Sequence, residues 1–130
     1  MISGQDIYKA LVANTAVKAA VSKVGTHYCI AVDNKEPDAW SVKDAAIVIY
    51  SSGVDDNRME YSDQAWTCSC RAGTYAASRT LAGLVVTALN RKAINSIDGL
   101  AYCQTLDTIK PIDKADNYNT PVEVRVKRSL

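Results

Sequence analysis

No run of apolar residues in this chain approaches the ~18–20 that a membrane-spanning helix needs, so no segment reads as a bilayer span. Charge of one sign is missing too: 15 Lys and Arg stand against 14 Asp and Glu, a formal net charge of +1. That balance offers no global attraction to nucleic acid or to an anionic membrane. Histidine occurs once and phenylalanine not at all, against 7 tyrosines. There is no Walker-type glycine loop, no GxGxxG, no GxSxG and no HExxH, so the common phosphate, dinucleotide, serine-hydrolase and metalloprotease chemistries have no sequence support. The opening MISGQDIYKALV lacks a basic n-region, a long apolar h-region and a small-residue cleavage site. The expectation is therefore that nothing sends the chain to an oxidising compartment and that Cys29, Cys68, Cys70 and Cys103 are reduced thiols unless the protein ends up in an extracellular particle.

What is present is 130 residues, 48% hydrophobic and 22% charged, an ordinary globular balance. This suffices for one domain, residues 1–130, with a core of its own and no need of staples.

In DIYKALVANTAVKAAVSKVG, Ile7, Leu11, Val17, Ala20, Val21 and Val24 recur at helical spacing, with Asn14-Thr15 as the break. Two short helices meeting at a bend are expected, Asn14 ending the first in a left-handed conformation and Thr15 capping the second. THYCIAVD, residues 26–33, reads as a strand. DAAIVIYSS reads as another, apolar on both faces and therefore suited to the middle of a covered sheet. Residues 53–64, from Gly53 to Gln64, read as a long polar loop. GTYAASRTLAGLVVTALNRK is the clearest helix. Thr74 is its expected N-cap, Leu81, Leu84, Val85, Ala88 and Leu89 its apolar stripe, and Arg91 and Lys92 the complement to its C-terminal dipole. LAYCQTLDTI is expected as a strand ended by Pro111 and the polar KADNYNTP, and VEVRVK as a half-exposed strand with Val122, Val124 and Val126 on one side. The order predicts an α+β fold: a mostly antiparallel sheet of about four to five strands, packed by an N-terminal helical pair and one central amphipathic helix.

AWTCSCRA, residues 65–72, carries the sharpest chemical question. Strand parity puts Trp66, Cys68, Cys70 and Ala72 on one face and Thr67, Ser69 and Arg71 on the other. The first face is apolar, so the thiols are expected in the core as small hydrophobes. Zinc sites of paired cysteines place two to four residues between them, within turns, and here the spacer is one residue within a strand. Same-strand neighbours, about 6–7 Å apart, are also too distant for a disulfide. His27 has no partner in the sequence to make it a general base. Asp55, Asp56 and Glu60 lack the spaced oxygens of a calcium loop. The residues present no catalytic constellation, no metal set and no cofactor site, which favours an interaction or structural protein.

IYKALVANTAVKAAVSKVG, AWTCSCRAGTYAASRTLAGLVVTALN and DNYNTPVEVRVK together resemble, in order and texture, the phage tail-completion and tail-terminator proteins. The likeness covers about two-thirds of the chain: an I-x-x-x-L helix, a short Val-spaced helix and a glycine; a strand turning into an amphipathic helix; and a last alternating strand. The resemblance implies a non-enzymatic virion protein, a ring and usually a hexamer, at the head-proximal end of the tail. Its expected partners are further copies of itself, the tail tube protein and the head connector, with DNA passing through the opening without sequence-specific binding and no membrane involved. Contacts are expected from the loop tip Asp55, Asp56, Asn57, Arg58 and Met59, and from the charged row Glu123, Arg125 and Lys127 with Arg71 as companion. The rival expectation is a small cytosolic metal-binding or thiol-dependent enzyme using the four cysteines.

Overall fold

A computed structural model describes residues 3–33, 45–54, 61–94, 101–109 and 118–129. Helix α1 (Gly4–Val12) starts where Ser3 and Asp6 close a capping box: Ser3 Oγ accepts the Asp6 N–H at 3.3 Å and the Asp6 carboxylate accepts the Ser3 N–H at 2.9 Å. Ile7 and Leu11, one turn apart, are fully buried. Asn14 does not take the left-handed conformation expected of it. It is the N-cap of α2 (Thr15–Ala20), extended at φ −88°, and its Oδ1 accepts the Val17 N–H at 3.0 Å. An amide oxygen that can satisfy an orphan donor of the next helix outweighs its tolerance of the left-handed region.

Residues 26–33 are not one strand. Gly25, at φ 63°, turns the chain between β1 (Lys23–Val24) and β2 (His27–Tyr28), a small antiparallel pair, and β3 (Ile30–Val32) then joins the main sheet. β4 (Ala46–Val54) and β5 (Tyr61–Ala72) form an antiparallel pair with a register shift between Ser51 and Gly53. Ladder residues thus extend into the expected loop, because paired strands satisfy the backbone of Gly53–Val54 and Tyr61–Gln64. Helix α3 (Tyr75–Leu89) begins at the expected cap, Thr74 Oγ1 accepting the Ala77 N–H at 3.1 Å, and buries Leu81, Val85, Ala88 and Leu89. Arg91 and Lys92 lie past its last turn, and Arg91 is itself left-handed at φ 60°.

β6 (Ala101–Thr105) and β7 (Tyr118–Ser129) complete a sheet of order β3-β4-β5-β7-β6, antiparallel except for the β3–β4 pair. The fold is α+β as expected, and β4 is an interior strand between edge strand β3 and β5, buried on both faces at Ala46, Ile47, Val48 and Ile49. β7 also begins earlier than its alternating valines suggest, running through Pro121. The Leu106 N–H donates to the Pro121 carbonyl at 2.9 Å, and proline has no N–H to return. The Arg79 guanidinium, reaching from α3, donates to the Leu106 carbonyl instead at 3.3 Å. The helices cover one face of the sheet, where Ile47, Ile49, Cys68, Cys70, Val122, Val124 and Val126 meet Ile7, Leu11, Leu81 and Val85.

Candidate interaction surface

The face of the sheet away from the helices carries Arg71, Glu123 and Arg125 of the residues singled out for partner contact. Arg71 lies near the end of β5, half-buried, opposite Ala46 on β4 and Asn119 on β7. Glu123 stands opposite Thr67 and Gln104, and Arg125 opposite Ala65 and Tyr102. Within β7 the two are an ion pair, Arg125 Nε to Glu123 Oε1 at 2.7 Å, with side chains 45% and 29% exposed. Lys127 stands in register with Asp63. The row therefore exists on one strand, and Arg71 is set apart from it: Glu123 faces a residue four positions back along β5, roughly 13 Å at ~3.3 Å per residue. The expected loop tip Asp55–Met59 lies outside the described residues.

Thr67 and Ser69 are on this outer face, as parity requires, yet are only 8% and 7% exposed. They are flanked by β4 and β7, and Ser69 Oγ donates to Asn119 Oδ1 at 2.7 Å. Asn119 is the member of this face that the sequence reading missed, since a polar approach before Pro121 gave no sign of strand parity. Alternation counted back from Val122 through the proline is the signal that would have placed it. Ala46 and Val48, on the same side of β4, are buried at 1% and 3%.

The cysteines stand apart from this surface. Cys68 and Cys70 are fully buried on the helix side, Cys29 is buried and Cys103 is half-buried, and all four are thiols. Burial holds the Cys68 thiol well above the ordinary range, reinforced by Cys70 and then by Cys103. Cys70 is raised in the same way by burial, and Cys103 is pushed up to about 11. Nucleophilic or metal-binding sulfur is thiolate, and these sites disfavour it. The Cys70 Sγ–H points at the Cys68 carbonyl at 3.6 Å, within the strand rather than toward a substrate. His27 is exposed on the short strand β2, opposite Val24. The geometry thus supports the core reading of AWTCSCRA over thiol chemistry.

No family model matches the chain, and no curated protein resembles it in sequence. Among solved structures it is similar to a chain described as the virion of a native gene transfer agent (GTA) particle. The likeness covers 98% of this chain and 94% of that one, at a TM-score of 0.66 and 16% identity. At that identity the two share a fold, and the correspondence runs through nearly the whole of each chain.

Proposed function

We propose that this chain is a non-enzymatic structural virion protein that caps the tail tube of a long-tailed phage as a homo-oligomeric ring, a hexamer in the usual form of the proteins it resembles. The observation that carries the reading is the near end-to-end fold shared with a chain of a GTA virion. The tail-terminator texture of the helical pair, of AWTCSCRA leading into α3, and of β7 supports the finer assignment. In this role the chain works by assembly: the thiols and apolar side chains fill the core, and the exposed part of the outer sheet face around Glu123 and Arg125, together with the 55–60 connection, meets neighbours. Head-to-tail contacts between identical subunits close into a ring where the rotation permits. Asp55, Asp56, Asn57, Arg58 and Met59 reach a neighbouring subunit, and Arg71, Glu123, Arg125 and Lys127 lie at a subunit contact or toward the opening through which DNA passes. One ring surface meets the tail tube protein and the other the head connector.

Immunogold labelling of intact particles with antibody to this chain tests the placement. Gold at the head–tail junction is expected; gold confined to the capsid or to the distal tail overturns it. Deleting Asp55–Met59 tests the contact residues separately. A folded subunit that no longer forms rings is the expected result, and rings with functional tails would remove the loop from the proposal. Reversing charge at Arg125 and Lys127 together, with assembly and infectivity unchanged, would likewise remove the β7 row.

A further inference from the structure

β6 is an edge strand, and its backbone groups alternate in direction. The Leu106 N–H goes to Pro121 on β7, so Tyr102, Gln104 and Leu106 turn their backbone groups inward to the sheet, and Ala101, Cys103 and Thr105 turn theirs outward. Such an outward row is a template for another strand. Here it is flanked by exposed apolar side chains, Tyr102 at 46%, Leu106 at 38% and Ile109 at 55%, which makes edge pairing more favourable still.

The chain leaving α3 fills the first part of this row. The Arg91 N–H donates to the Ala101 carbonyl at 2.7 Å, and the Ala101 N–H donates to the Lys92 carbonyl at 3.0 Å. The Cys103 N–H donates to Asn90 Oδ1 at 3.0 Å. Arg91 takes a left-handed conformation, φ 60°, that a side chain disfavours, and it does so where the turn folds back onto the strand. Past that point the Cys103 carbonyl and both backbone groups of Thr105 have no partner among the described residues.

We propose that the Asn90–Lys92 turn is an edge guard, closed by the Asn90 side chain, that keeps a second copy of this chain from adding its own β6 to the sheet. The edge itself identifies the occupant. Two β6 strands laid antiparallel present the same outward groups and the same Tyr102 and Leu106 flanks to each other, a self-complementary contact. The guard does not depend on the virion role, because an edge with outward backbone groups and exposed apolar flanks is a hazard for the subunit in any setting.

Sedimentation velocity over a wide concentration range, with amide hydrogen exchange read at Cys103, tests this on the full chain. Asn90→Ala is expected to exchange the Cys103 amide faster by about tenfold and to add a concentration-dependent step to whatever species the unaltered chain forms. Asn90→Asp, which keeps an acceptor for the Cys103 N–H, is expected to sediment like the unaltered chain. Adding Thr105→Pro to Asn90→Ala removes an outward donor without touching the β7 ladder and should abolish the new step. Should Asn90→Ala fail to fold, Asn90→Gly carries the same prediction at a position next to a helix end. Faster exchange with unchanged sedimentation overturns the proposal, as does association that survives Thr105→Pro or exchange that does not change.

Discussion

Replacing Thr120 by Val, alone and together with Ser78→Ala, probes the most deeply buried polar contact between α3 and the sheet. Ser78 and Thr120 are both fully buried. The Ser78 hydroxyl donates to the Cys70 carbonyl at 3.0 Å, which fixes the direction of the whole chain of hydroxyls. With its proton used, Ser78 Oγ accepts from Thr120 at 2.6 Å, and Thr120 in turn accepts from Thr108 at 2.8 Å. The relay therefore runs Thr108 to Thr120 to Ser78 to Cys70, tying the 106–109 segment, β7, α3 and β5 together.

Each single substitution strands a buried polar group. Ser78→Ala leaves the Thr120 hydroxyl without its acceptor, while the Cys70 carbonyl keeps its place in the ladder opposite Thr120, and Thr120→Val leaves Ser78 Oγ without a donor and Thr108 without its acceptor. A cost of about 1–3 kcal/mol is expected for each. The double variant replaces both partners by apolar groups, so its loss should fall short of the sum of the singles by about 1 kcal/mol or more. Urea denaturation followed by Trp fluorescence measures all three, Trp66 being packed against the core and so sensitive to its loss. Singles below about 0.5 kcal/mol that add within error would refute the reasoning, because they would mean that water or side-chain rotation satisfies these groups without the relay.

Gly4→Ala is expected to destabilise by about 1–3 kcal/mol, since a Cβ there would lie 2.5 Å from Val32 Cγ1 and 3.3 Å from the Trp66 ring; thermal unfolding of the variant checks it. Arg91→Gly is expected to stabilise by about 1 kcal/mol, removing the penalty of a left-handed non-glycine residue one position past the α3 C-cap, and an unchanged or lower midpoint in urea would count against it. Thiol labelling should reach Cys103 first, with a rate rising toward pH 11, while Cys68 and Cys70 react only on unfolding. The folded-state value of Cys103 lies above the 9.0 of an ordinary thiol, so its contribution to stability is complete below pH 9 and is lost as pH rises toward 11; denaturation midpoints across that window read the loss.

The elements that were legible in the sequence are those whose signal is local. Thr74 caps α3 because its hydroxyl faces a donor three residues on, and Leu81, Val85, Ala88 and Leu89 share a face because of helical period alone. The same holds for Cys68 and Cys70 and for Val122, Val124 and Val126, whose direction follows from strand parity. The parallel β3–β4 pair is different. It depends on how the chain returns between Asp33 and Ala45, and three residues of Ile30–Val32 carry no mark of orientation. Pro121 misled for a physical reason. A proline in a ladder ordinarily ends it, and here the absent donor is offset by Arg79, far away in sequence on α3. Thr67 and Ser69 show the remaining limit, since parity gives a face, while burial depends on which strands lie on either side.

The division of labour between the two sheet faces constrains how any partner is bound. The helix side is mostly consumed: Ile47, Ile49, Cys68, Cys70, Val122 and Val124 are fully covered, with Trp66 and Cys103 left half-buried at its margins. Among the described residues, the surface open to a partner is the Glu123–Arg125 part of the outer face and the β6 side of the sheet. On the outer face the Glu123–Arg125 pair is already neutral within one strand and more than a quarter exposed on either side chain. Such a pair contributes only about 0–1 kcal/mol to stability, and on meeting a partner it supplies orientation and selectivity more readily than affinity. Affinity has to be found in apolar area. Exposed apolar side chains are present at Tyr75, 57% exposed and edge-on to Tyr118 with ring centroids 6.3 Å apart, and at Leu106 and Ile109 beside β6. Tyr75 opens α3 and Tyr118 opens β7 opposite Ala72, so these side chains gather at the end of the sheet where β5 passes into α3. A partner that covered both the charged residues of the outer face and this apolar end would draw selectivity from the first and affinity from the second.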